Sequence, residues 1–98
     1  LYRVMGDEIQ NVYTVKINNM DSRNHIYDLE VEGDLPFEIR NYRPREVEAG
    51  EVFSVPVRVA VPRAQLSSEK NTLSFVVRAR DDASMEAREA TVFIGPTR

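Results

Sequence analysis

From Asn11 to Asn19 the chain alternates. Tyr13, Val15 and Ile17 fall on one side of an extended backbone, and Thr14, Lys16 and Asn18 on the other. A period of two is the mark of a strand with one buried face. Such a strand cannot cover that face itself, so the rest of the chain must supply a sheet and a second layer.

The same pattern recurs. Between His25 and Glu32, Tyr27, Leu29 and Val31 alternate with Asp28, Glu30 and Glu32. Phe37 and Ile39 give a brief strand. Val52–Val61 turns Phe53, Val55, Val57, Val59 and Val61 inward, with Pro56 on the outer face. Proline donates nothing to a ladder, which places this stretch at an edge or a bulge. Asn71–Arg80 directs Leu73, Phe75, Val77 and Ala79 inward. Met85–Ile94 is the last strand, and its inner face is either Thr91 with Phe93 or Val92 with Ile94.

Turn signals separate these runs. Met20–Asn24 is short and polar, and predicts a hairpin joining the strands on either side. Glu48–Glu51 is a turn with Gly50 at a position suited to positive φ. Pro62–Lys70 has room for a turn or two of helix, anchored by Leu66. Asp81–Ser84 turns the chain before the last strand. The expected fold is all-β: one immunoglobulin-like (fibronectin-like) domain over residues 1–98, an antiparallel two-sheet sandwich of about seven strands. It lacks the Cys…Trp…Cys set of antibody domains.

Composition removes several function classes. There is no cysteine, hence no disulfide, thiolate metal site or iron–sulfur ligation within these residues. The net charge of −3 gives no bulk attraction to nucleic acid or anionic lipid. No apolar run approaches the ~20 residues of a membrane span. A start at Leu1 without a signal peptide suggests a piece of a longer protein.

Few residues offer chemistry. His25 is the single histidine, beside Asp21 and Ser22. A triad needs tertiary geometry rather than sequence adjacency, so a surface histidine is the expectation. Met5, Met20 and Met85 are soft ligands suited to Cu(I), but stand apart in the sequence, and packing or exposed methionine is the simpler reading. Asp28, Glu30 and Glu32 form a carboxylate row, a candidate docking face for a basic partner or cation. The plainer alternative is a solvated face paired across the sheet with residues such as Lys16. Arg40, Arg43 and Arg45, around Tyr42, form a basic loop that could meet phosphate headgroups or simply stand in water. Asp81 and Asp82 could serve calcium, but further oxygen ligands are not evident and a plain turn is expected.

Asn11-x-Tyr13-Thr14-x-Lys16-Ile17-x-Asn19 resembles the C-terminal domain of the FixG/CcoG family, the cytochrome c oxidase accessory proteins. Leu1-Tyr2-Arg3 resembles the family's entry to this domain, and Tyr27-x-Leu29-x-Val31-x-Gly33 its second strand. Val47-Glu48-Ala49-Gly50-Glu51 resembles its Val-x-Pro-Gly-Glu turn, with Ala49 in place of proline. Phe75-Val76-Val77, Phe93 and Pro96 fit the closing strands. The resemblance spans essentially the whole chain.

It implies a membrane-anchored parent carrying two [4Fe–4S] clusters outside these residues and acting in cbb3-type oxidase assembly and copper supply. It also implies an immunoglobulin-like tail at the periplasmic face of the bacterial inner membrane. The expected role here is non-catalytic docking or positioning toward a protein partner in oxidase assembly, with no cofactor of its own. The alternative is an adhesion or spacer module of an unrelated secreted or surface protein.

Overall fold

The computed structural model describes residues 2–96. Leu1, from the expected entry strand, and Thr97 and Arg98, from the expected exit, lie outside the described residues. Eight strands follow in order: β1 (Arg3–Met5), β2 (Glu8–Asn18), β3 (His25–Gly33), β4 (Glu38–Ile39), β5 (Glu46–Val47), β6 (Val52–Pro62), β7 (Lys70–Ala79) and β8 (Asp82–Ile94). A single 3-10 turn, Arg63–Gln65, links β6 to β7. The strands form two four-stranded antiparallel sheets, ordered β1-β2-β6-β4 and β5-β3-β7-β8. The sandwich expected from the alternation is present, with one strand more than expected. β5 is only two residues long, too short to show a period.

The apolar faces meet as the alternation requires. Ile9, Val57, Val59 and Val61 from one sheet pack against Leu73, Phe75 and Phe93 from the other. A smaller cluster of Ile17, Tyr27, Val47 and Ala79 fills the far end. Tyr13 of β2 meets Phe75 of β7 edge-on, ring centroids 5.1 Å apart, joining the layers. Leu66 is buried beneath the sandwich as expected. The open question in β8 resolves toward Thr91 and Phe93: Phe93 is fully buried and Val92 is exposed.

Asparagine side chains stand in for missing ladder partners. Arg58 of β6 turns its amide and carbonyl away from β2, and Asn41 Oδ1 accepts the amide at 2.6 Å. The carbonyl accepts from the Arg40 amide at 2.8 Å. Pro56, two residues back, faces the same side, where only the Asn41 amide reaches its carbonyl, at 3.3 Å. Its lack of an N–H therefore falls on the side that β4 leaves uncovered.

The expected hairpin is corrected. β2 pairs with β1 and β6, whereas β3 pairs with β5 and β7. The Met20–Asn24 loop crosses between sheets. Asn19, fully buried, directs the crossing: its Nδ2 donates to the carbonyls of Arg23 and Val47, both at 2.9 Å. Its Oδ1 accepts the Asp21 amide at 3.0 Å. With these bonds made to the loop and to β5 of the second sheet, the chain leaves the first sheet at Asn19.

The final turn is also shifted. β8 begins at Asp82 rather than Met85, and the ladder slips between Ala79↔Asp82 and Arg78↔Glu86, leaving Ala83–Met85 as a bulge. Gly33, in the second resembling motif, has a steric role. A Cβ there would stand 2.7 Å from Phe37 Cε2 and 3.1 Å from the Thr72 carbonyl oxygen.

Candidate functional site: a charged sheet face and a buried histidine clamp

The outer face of the second sheet carries the carboxylate row, since Asp28, Glu30 and Glu32 share one side of β3. β7, the turn that follows it and β8 supply its counter-charges. Arg80 grips Asp28 with two bonds, Nη2 to Oδ1 at 2.7 Å and Nε to Oδ2 at 3.3 Å. That guanidinium holds the Asp28 carboxyl below the usual carboxylate range. Arg78 donates to Glu30 at 3.1 Å and to Glu86 at 2.6 Å, and Arg88 pairs with Glu32. The row is thus one side of a charge ladder across three strands. Its partners are Arg78, Arg80 and Arg88, not Lys16, which belongs to the other sheet. The alternation along Val77, Arg78, Ala79 and Arg80 places both arginines on the outer face, but does not set them opposite β3. Beneath the ladder Val76 is fully buried although it faces outward, covered by the stems of the charged side chains around it.

Arg40, Arg43 and Arg45 do not converge. Arg40 reaches back to Glu8 and Glu38. Arg45 pairs with Glu51 at 2.8 Å and stacks its guanidinium 3.9 Å from the Phe53 ring centroid. Arg43 is exposed, with no ion pair among the described residues. One loop carries the three, but Arg40 and Arg45 turn to separate carboxylates and Arg43 to solvent.

At the far end of the sandwich His25 corrects the expectation of a surface histidine. Its side chain is 0% exposed. Nε2 meets Asp21 Oδ2 at 2.6 Å and Nδ1 meets Asp81 Oδ1 at 2.7 Å. Hydrogen bonds accepted by Asp21 first, then by Asp81, raise the imidazole pKa above its ordinary value, against the opposing effect of burial. The same bonds hold both carboxyls below theirs. The imidazolium thereby staples the β2–β3 crossing to the β7–β8 turn. Both ring nitrogens face carboxylates, so the ring is committed to the staple rather than to activating Ser22, whose amide bonds Asp21 Oδ1 at 2.8 Å. Sequence spacing could pair Asp21 with His25, but Asp81 is 56 positions away.

Beside the staple lies an open cleft of about 750 Å³ lined by Met20, Asp21, Arg23, Tyr27, Asp82 and Met85, among others. Met20 and Met85, separate in sequence, share this cleft, because the β2–β3 crossing brings Met20 over the start of β8. Among the described residues no group of three or more His, Cys, Asp or Glu side chains is placed to hold a metal ion.

The model of the family described as "IG-like fold at C-terminal of FixG, putative oxidoreductase" matches residues 1–96. The chain belongs to the FixG C-terminal family. A solved structure agrees: the crystal structure of a FixG-related protein from Vibrio parahaemolyticus superposes with a TM-score of 0.78 at 25% identity. The alignment covers 89% of this chain and 79% of that one. The comparison with curated proteins finds no match. Family membership gives the FixG-like motifs structural meaning. Asn11 and Tyr13 tie β2 to β8, Asn19 steers the crossing, Gly33 makes room for Phe37, and Gly50 adopts φ +78° in the Glu48–Glu51 turn.

Proposed function

We propose that this FixG-type domain is a non-catalytic interaction and positioning module of a membrane-anchored iron–sulfur protein. The parent acts in cbb3-type cytochrome c oxidase assembly and copper supply, and the domain works at the periplasmic face of the inner membrane. The family match over residues 1–96 carries this reading, and it favours a FixG-type parent over a spacer module of an unrelated protein. Two [4Fe–4S] clusters belong to that parent by the resemblance. These residues do not fit such a cluster, because the chain has no cysteine to ligate it.

The non-catalytic part of the reading is supported by the occupation of the single histidine by two carboxylates. The interaction part is supported by the charge ladder centred on Asp28, Glu30 and Glu32, which presents fixed, alternating charge on a rigid sheet. Such a surface gives specificity and encounter rate more than raw affinity.

The test is a parent protein with and without this domain in host membranes. The expected result is intact cluster content with lost oxidase assembly when the domain is removed. Full oxidase activity without the domain would overturn the proposal.

A further inference from the structure

β8 is an edge strand, and its backbone shows which residues face outward. Ile94 turns its amide and carbonyl away from β7, where the Asn11 side chain takes both. Val92 turns its carbonyl the same way, to the Tyr13 hydroxyl at 3.0 Å. Alternation along an antiparallel strand continues this to Ala90, Arg88 and Glu86. There β2 and β8 have parted, leaving a cleft between them lined by Thr14, Lys16, Ala87 and Glu89, among others. Among the described residues no strand pairs with this edge.

We infer that this edge joins a second copy of the chain, β8 against β8 antiparallel, about a two-fold axis through Ala87. Charge selects the register. With Ala87 on the axis, Glu86 of each copy stands opposite Arg88 of the other, giving two opposite-charge pairs. An axis at Glu86 or Arg88 sets like charges face to face, which destabilises cross-strand pairs. An axis at Glu89 sets Glu89 against its own symmetry mate as a close pair of like charges and leaves Arg88 opposite Ala90.

In the selected register Glu86 and Arg88 form hydrogen-bonded pairs, and Ala87 meets its symmetry mate as a close, non-hydrogen-bonded pair. The ladder then runs on from Glu30–Arg78–Glu86 to Arg88 and Glu32 of the second copy, joining two four-stranded sheets into one. The bulge at Ala83–Met85 limits the pairing to a few residues. The contact is therefore weak and reversible rather than an obligate interface.

Cysteine trapping tests this on the 98-residue chain, which has no thiol of its own. Close non-hydrogen-bonded pairs sit about 4.5 Å apart at Cα, within the separations of roughly 4.4–6.8 Å that a disulfide spans. Ala87→Cys should cross-link about tenfold faster than Ala90→Cys, because only position 87 meets itself across the axis. Equal rates at the two exposed alanines would overturn the inference.

Charge exchange gives a second reading. Ala87→Cys combined with Glu86→Arg, or with Arg88→Glu, should each cross-link about tenfold more slowly alone, since like charges then face each other. Mixing the two should restore the rate as a 1:1 heterodimer. A mixture no faster than its parts, with both folded by circular dichroism, would overturn it as well.

Discussion

Asn11 holds Ile94 by both of its backbone groups: Oδ1 accepts the Ile94 amide at 2.8 Å and Nδ2 donates to the Ile94 carbonyl at 2.9 Å. One side chain thus acts as a strand, tying the first sheet to the free edge of the second. Asn11 is itself buried, so removing its amide leaves two backbone groups without partners. Asn11→Ala should lower stability by about 1–3 kcal/mol, read by urea denaturation, with faster amide exchange at Ile94. Asn18→Ala, on an exposed position of the same strand, should change little.

Val57 lies at 0% exposure between the sheets. Val57→Asp would strand a carboxylate there and should destabilise by several kcal/mol, roughly the cost of an unpaired buried charge. Val52→Asp, at an exposed position of the same strand, should be tolerated. Equal melting temperatures for the two variants would mean that the strand faces are assigned one residue out of phase.

Gly50 has φ +78°, and a Cβ added there would meet no heavy atom within 4 Å. Any penalty for a side chain there comes from backbone conformation alone. Gly50→Val should cost at least about 1–2 kcal/mol, the left-handed penalty of an L-residue. Ala49→Val, one residue earlier, should be near neutral. Thermal melts of the pair read the difference.

The His25 staple predicts a pH profile. The imidazole pKa is raised in the folded state, so its contribution is complete below the unfolded value of about 6.5 and is lost as pH rises through the folded value. Asp21 and Asp81 are lowered. Their contribution is present above the unfolded value of about 3.9 and lost as pH falls through the folded values. The groups around the ring are Asp21, Asp81 and Arg23, the last 3.8 Å from Asp21. Stability should therefore peak in mildly acidic solution and decline as pH rises above about 6.5 through the folded imidazole value. In Asp81→Asn the alkaline decline should shrink. A wild-type melting temperature that rises across that range would contradict the staple.

The sequence was informative about faces and poor about neighbours. Alternation placed Ile17, Tyr27, Val57, Leu73 and Phe75 inward, and the glycine of the Glu48–Glu51 turn was legible because positive φ selects it. Alternation says which side a residue faces, not which strand lies beside it. The Met20–Asn24 loop therefore reads as a hairpin, whereas Asn19 binds the Val47 carbonyl across the sheets. His25 reads as exposed because Asp81, its second partner, arrives only through the pairing of β3 with β7. The carboxylate row on β3 was legible by itself; Arg78, Arg80 and Arg88 become its partners only through that pairing and the one between β7 and β8.

The central claim is that this domain contributes a surface rather than a metal site or a reaction. Met20 and Met85 share a cleft beside Asp21, so the claim is exposed to a direct measurement: competition titration of the pure 98-residue chain against a Cu(I) chelator probe. The pure domain should bind no tighter than ~10 μM, about 7 kcal/mol. One equivalent bound at submicromolar affinity, and lost on Met20→Ala with His25→Ala in a folded protein, would contradict it.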